Sequence, residues 1–412
     1  MKIADNSTPV VVLSSAHHCG LGITRSLARL GVRVFNVDST RSAPAFFSRY
    51  CQGRFVWDLS RTSPAASLRR LAAISAGAGH RCVLIPTTDR EAIFVEDNAN
   101  ELREHFIFPA THPPLVRSLC SKREFHRLAV AQGIPTARTA CPSSKVELLR
   151  FAAEVSYPVI VKGAGALWRA GSSKVIARNR EELLRVIARM DDARVGDLVL
   201  QEYIPAGADW MFNGYFDRHS QCLAGFTGRK LRQFPANTGV TSLGECRHNP
   251  TVAATAVAFL QAVRYQGIVD MDFRLDRRDG TYKLLDVNPR VGGTFRLFSS
   301  EQGLDMVRAL YLDLTGQAVT ASQPIEGRRW MVEDFDLVAV CSAFWRKMPA
   351  LREWAGSLCA ADECAFLDVH DPLPVLAMAW GDMLELFRRL PPRHQRPLSA
   401  DTMVHVRSAS QP

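Results

Sequence analysis

Four unbroken apolar residues, Val10-Val11-Val12-Leu13, give way to the small and polar stretch Ser14-Ser15-Ala16-His17-His18-Cys19-Gly20-Leu21-Gly22. A run from Ile23 to Leu30 follows, then Gly31, then Val32 to Asp38. The order strand, glycine loop, helix, strand is a βαβ unit whose helix ends at Gly31. Arg81-Cys82-Val83-Leu84-Ile85-Pro86 predicts a further strand of the same parallel sheet. Thr87-Thr88-Asp89 at its end would lie on the carboxyl edge, where open α/β sheets receive ligands. Residues 1–110 therefore read as one α/β domain, closed by the prolines between 109 and 114.

Beyond it the pattern changes. Ser121-Lys122-Arg123-Glu124 has the capping-box spacing and predicts a helix running to Gln132, stopped by Gly133 and Pro135. Tyr157 to Gly163 predicts a strand ending in Lys162, and Val175 to Arg178 a second one. Between them the loop from Gly163 to Ser173, with Ser172 and Ser173 at its end, offers backbone N–H groups that can close over phosphates. It is not a Walker loop, because no Gly-Lys-Ser/Thr opens a helix there. A helix from Arg180 to Met190 leads to the strand Asp197 to Pro205, which leaves through Gln201-Glu202-Tyr203-Ile204, with Asp209 seven residues past Glu202. Strands near 210–216 and 221–227, a basic segment holding Lys230 and Arg232, and a helix over 251–263 complete this stretch.

The segment Tyr282 to Thr294, YKLLDVNPRVGGT, places a carboxylate, an amide and a guanidinium at alternate positions, Asp286, Asn288 and Arg290. Alternation along a strand sends these three to one face and Leu285 and Val287 to the other, into a core. Upstream, Gly267 to Arg274 is a second strand, and the Asp279-Gly280 pair between them signals a hairpin. The hairpin would bring Asp272 beside Asp286. Two carboxylates and an amide oxygen form a hard-oxygen set suited to Mg²⁺, and an adjacent arginine suits a phosphate or an acyl phosphate. Taken alone, the same row also fits a solvated sheet edge with an ordinary salt bridge.

Composition narrows the choice. At 412 residues, 47% hydrophobic and 22% charged, the chain is globular and long enough for two to four packed units. The net charge of +10 comes from dispersed Lys and Arg rather than blocks, which favours a polyanionic small molecule over nucleic acid. Ten cysteines form no CxxC pair, so neither a zinc site nor a redox motif is supported, and scattered thiols suit a reducing compartment. No leader pattern opens the chain and no segment approaches the ~18 apolar residues of a membrane span, so no membrane partner and a cytoplasmic location are expected. A dinucleotide site on the first βαβ unit, serving an oxidoreductase, is the competing enzyme reading. Gly20 and Gly22 fit its fingerprint and Asp38 its ribose acid, but Arg25 stands where the third glycine belongs.

The order of these motifs over residues 111–318 closely resembles the ATP-grasp superfamily, and within it the carbamoyl-phosphate-synthase-like group and the ligases related to D-aspartate ligase. With the N-terminal domain, the similarity covers about three quarters of the chain. The resemblance implies an α/β and α+β multidomain chain: a parallel α/β pre-ATP-grasp domain (1–110), a small ATP-grasp lobe (111–195), a large lobe with the metal site (196–318) and a C-terminal extension (319–412) whose role it does not give, a dimerisation or a lid element being open, so that a homodimer is allowed. It implies that Lys122 and Lys162 hold the ATP phosphates under the 163–173 loop. Glu202, with the backbone of Tyr203 and Ile204, would read adenine, and Asp209 the ribose. Asp272, Asp286 and Asn288 would hold one or two Mg²⁺ ions, or Mn²⁺, and Arg290, with Lys230 and Arg232, would stabilise the transferred phosphoryl group. The implied activity is ATP-dependent joining of a small-molecule carboxylate, through an acyl phosphate, to an amine. The family more often carries Glu at the positions of Asp272 and Asp286, and a catalytically silent ATP sensor is the reading this departure leaves open.

Overall fold

The structure is a computed structural model that describes residues 1–389 other than 16, 164–174, 189–194, 197, 206, 236–238, 321 and 345–349. Three sheets organise it. The first contains β1 (Val10–Leu13), β2 (Val34–Asp38), β3 (Cys51–Val56), β4 (Cys82–Pro86) and β5 (Phe106–Ile107), all parallel, in the order β3-β2-β1-β4-β5. All four residues of β1 are buried: Val10 and Val12 join one core and Val11 and Leu13 another, as expected of a strand covered on both faces.

The second sheet contains β6 (Thr139–Ala140), β7 (Val159–Gly163), β8 (Val175–Ala177) and β9 (Leu198–Glu202), in the order β6-β9-β7-β8. β9 pairs with β7 from Val159 opposite Glu202 to Gly163 opposite Leu198. The lobe boundary expected between 195 and 196 therefore moves past Glu202, because β9 completes the small sheet.

The third sheet is built from β10 (Asp209–Phe216), β11 (Cys222–Phe234), β12 (Val240–Cys246), β13 (Gly267–Asp276), β14 (Thr281–Asn288), β15 (Arg329–Met331) and β16 (Glu363–Cys364). Its order is β14-β13-β10-β11-β12-β15-β16. Two of its strands come from the segment after 318, so the expected extension continues this sheet. It is also bolted to the first domain. Arg25, buried in the helix His18–Ala28, donates to Asp371 at 2.9 Å and to the carbonyls of Ala365, Phe366 and Asp371.

That contact explains the broken glycine fingerprint. Gly20 and Gly22 lie inside the helix rather than in the loop before it. A Cβ on Gly20 would meet Ser15 Cα at 2.5 Å, and one on Gly22 would meet Arg296 and Phe295 at 2.9 and 3.0 Å. Both glycines permit close packing, and Arg25 anchors the C-terminal segment, so the dinucleotide reading loses its premise. His17 is exposed, whereas His18 packs among Trp330, Phe335 and Phe366 with ring centroids 5.5–6.1 Å away. His18 thus packs where the first domain meets the C-terminal segment.

No helix among the described residues is long and apolar enough to cross a membrane.

Candidate active site

The β13–β14 hairpin places Asp272 directly opposite Asp286, and Asp270 opposite Asn288. The register then slips between Asp272 and Phe273, because Phe273 pairs with Leu284 and leaves Leu285 as an extra residue. This β-bulge re-aims the side chains around it. Leu284 and Val287 enter the core, and Leu285 lines the polar cleft beside Asp286. The strict alternation expected for this strand put Leu285 in the core; the bulge corrects it.

The cleft lies between the second and third sheets and is lined by Lys162, Glu202, Ile204, Asp209, Lys230, Asp272 and Asp286 among others. Lys122 sits in the first turn of the helix Lys122–Ala131, whose cap is the Ser121 hydroxyl accepting from the Glu124 N–H. Its ammonium is paired with Asp286. Burial works against the charged form of Lys122, but Asp286 outweighs it and holds the pKa above the usual lysine value. Lys230 pairs with Asp272 at 2.7 Å, and its pKa is raised against burial in the same way. Each facing carboxylate is thus neutralised by its own lysine. Lys162 donates to the Gln201 side chain at 2.6 Å.

At the other end of the cleft, Glu202 pairs with Arg278 at 2.6 Å, and its carboxylate also accepts from the backbone N–H of Arg138. The Tyr203 N–H donates to the Pro158 carbonyl, and the Ile204 carbonyl accepts from Arg274. Asp209 is held by the Arg274 guanidinium and by Gln233. Gly163 ends β7, while Ser172 and Ser173 lie outside the described residues.

Two arginines have structural partners. Arg290 donates to Asp89 at 2.9 Å and to the Asn288 side-chain oxygen at 3.2 Å, which joins the row to the carboxyl edge of the first sheet. Arg232 points elsewhere. Its guanidinium grips the fully buried Asp336 through bonds of 2.9 and 2.7 Å, and it also donates to Ser357. It does not line the cleft with Lys230.

Alternation along β13 also puts Asp270 on the row, a signal that was present in the sequence and not used. Burial and the neighbouring Asp272 push its carboxyl up to about 6, opposed by Arg290, Lys230 and a 2.8 Å hydrogen bond from Asn213. Gln201, Gln233 and Arg274 were likewise missed as cleft residues.

The donor set can be tested against a metal. Asp272 and Asp286 face each other with about a third of each side chain exposed to the cleft, 31% in both cases. Among the described residues no group of three or more His, Cys, Asp or Glu forms a metal cage. The two facing carboxylates suit a cation that takes one or two protein carboxylates and completes its shell with water and phosphate, which is the habit of Mg²⁺.

The model of the carbamoyl-phosphate synthase L chain ATP-binding domain matches residues 121–200. A D-aspartate ligase of Enterococcus faecium is 26% identical over 240 residues, covering 55% of this chain and 57% of that protein. The N-terminal section of the carbamoyl phosphate synthase large chain of Methanopyrus kandleri is 26% identical over 238 residues, covering 52% of this chain and 42% of that one. The chain thus spans about half the length of these relatives. Among solved structures, an ADP complex of an N5-carboxyaminoimidazole ribonucleotide synthetase superposes with a TM-score of 0.63 at 12% identity, covering 79% of this chain and 81% of the other. Residues 121–200 thus resemble that ATP-binding domain, and the overall fold is shared with that synthetase. An L-amino acid ligase of Bacillus licheniformis shares the fold as well, at a TM-score of 0.56 and 15% identity over 78% of this chain and 76% of that one.

Proposed function

We propose that this protein is an ATP-grasp enzyme, an ADP-forming carboxylate–amine ligase with an amino acid on at least one side of the bond it makes. A carboxylate oxygen of one substrate attacks the γ-phosphorus of ATP and ADP departs. The amine nitrogen of the second substrate then attacks the acyl carbon, releasing phosphate and a proton. No side-chain nucleophile is needed; the protein positions the reactants and neutralises charge.

The observation that carries the reading is the pair of facing carboxylates, each held by a lysine, in the cleft that Glu202 and Asp209 also line. Glu202, with Tyr203 and Ile204 beside it, takes the adenine end and Asp209 the ribose. Lys122, Lys162 and Lys230 take the phosphates, with Gly163, Ser172 and Ser173 belonging to the loop over them. Asp272, Asp286 and Asn288 would hold Mg²⁺, which would supply charge neutralisation on the phosphate oxygens. Arg290 stabilises the transferred phosphoryl group. In this account nucleotide binding exchanges partners: the lysines leave Asp286 and Asp272 for phosphate.

The test is ADP release from ATP and Mg²⁺ with amino acids supplied singly and in pairs. Pair-dependent release that falls at least ~100-fold in Asp286→Ala and Arg290→Ala is expected. ATP binding with no release across a broad panel would overturn the ligase reading in favour of a sensor, to which the shortened carboxylates would then belong.

A further inference from the structure

The carboxyl edge of the first sheet holds a second polar pocket, lined by Ser14, Asp38, Trp57, Asp58, Arg90 and Glu91. β1, β2 and β3 end side by side here, and the helix Asp89–Asp97 begins after β4. Asp38 and Glu91 are 3% and 5% exposed. Glu91 Oε2 and the Trp57 indole N–H have no hydrogen-bond partner among the described residues. An unpaired buried acceptor is costly, more so when charged, so folds rarely keep one without a use. Burial raises the pKa of Glu91, a bond from Ser14 lowers it, and Asp38 nearby raises it further.

Three carboxylates against one exposed guanidinium give this pocket a net negative charge. Its complement is a compact cation with several N–H donors, and the Arg90 fork at the rim adds a place for a carboxylate. An α-amino acid carries both groups. The same helical turn that bears Arg90 and Glu91 begins with Asp89, which contacts Arg290 in the cleft. The pocket and the catalytic arginine therefore flank one turn of helix.

We infer that this pocket recognises the α-ammonium group of the amino-acid substrate, an assignment that rests on the ligase reading for the use made of that amino acid. Glu91 and Asp38 hold the ammonium group and Arg90 the carboxylate or its continuation. The ligand is bound and not transformed here, and its selection precedes any chemistry.

The experiment is calorimetric titration of the full chain, without nucleotide, with a panel of α-amino acids and their 2-hydroxy counterparts, in wild type, Glu91→Gln and Asp38→Asn. The wild type should bind at least one amino acid saturably and its hydroxy counterpart at least ~10-fold more weakly; each variant should lose about 10- to 100-fold in affinity. The melting temperature of Glu91→Gln should equal or exceed that of wild type, because the amide removes a buried charge; a merely structural glutamate would show a loss. Failure of every amino acid to bind, equal binding of amino and hydroxy acids, or unchanged affinity in both variants would overturn the inference. The two readings separate cleanly. Pair-dependent ADP release with unchanged KM in Glu91→Gln sinks the pocket and spares the ligase, whereas Glu91-dependent binding without any ADP release does the reverse.

Discussion

Replacing Arg232 separates a chemical role from a structural one. The motif order assigned it to the phosphoryl group, yet its guanidinium makes two bonds to Asp336, whose third bond, 2.8 Å long, comes from Ser242. In Arg232→Ala, Asp336 keeps, among the described residues, the Ser242 hydroxyl alone and stays buried without its countercharge. Removing one partner of a buried pair typically costs ~3–5 kcal/mol. Arg232 retains some solvent contact, 27% of its side chain, and Asp336 keeps one bond, so about 3 kcal/mol is expected here. With an unfolding entropy near 2.1 cal/mol/K per residue, 412 residues unfolding together would melt about 3–4 °C lower. Arg232→Lys keeps the charge but loses the two-pronged geometry, and should fall between. The assay pairs guanidinium denaturation with ADP release measured well below the transition. The structure predicts a lower denaturation midpoint and turnover within a few-fold of wild type. An unchanged midpoint with turnover down a hundredfold would refute this reasoning and return Arg232 to the chemistry.

Three further outcomes are expected. Leu284→Ala should lose ~2–5 kcal/mol because its side chain is fully buried, whereas Leu285→Ala should be near neutral in stability and weaken ATP binding; equal losses in denaturation would contradict the bulge. Burial, with His17 adding to it, lowers the His18 pKa to about 3, against 6.5 when unfolded. Its contribution is therefore complete above pH 6.5 and drains as pH falls toward 3, by at most about 5 kcal/mol. Stability measured against pH should lose that acid limb in His18→Phe, and a limb of unchanged slope would show that His18 is not its source. Arg25→Gly, which restores the dinucleotide glycine pattern, should cost ~3 kcal/mol by removing the countercharge of the buried Asp371, which keeps its bonds from Ser48 and the Arg49 N–H, and fluorescence titration should detect no gain in NADH binding.

What could be read from the sequence is what adjacent strands settle between themselves. The Asp-Gly turn and two alternating runs were enough to set Asp272 opposite Asp286, because hairpin register depends on residues within about twenty positions. The same alternation held Asp270 in plain view. The bulge at Leu285 was not legible: no glycine or proline marks it, and only packing decides which of two adjacent leucines turns inward. The arginines were harder still. Arg232 finds Asp336 104 residues on, and Arg25 finds Asp371 346 residues on. A basic residue in a motif looks the same whether its anion is a phosphate or a distant buried aspartate, so local pattern identifies the charge but not its partner. Asp38 shows the converse. Its place at the end of the second strand was read as a ribose acid, and the sheet does bring it to a ligand-receiving edge, beside a buried Glu91 that a fingerprint search would not inspect. The strand end was legible in the sequence, and the buried carboxylate beside it was not, since Glu91 comes from a helix far along the chain.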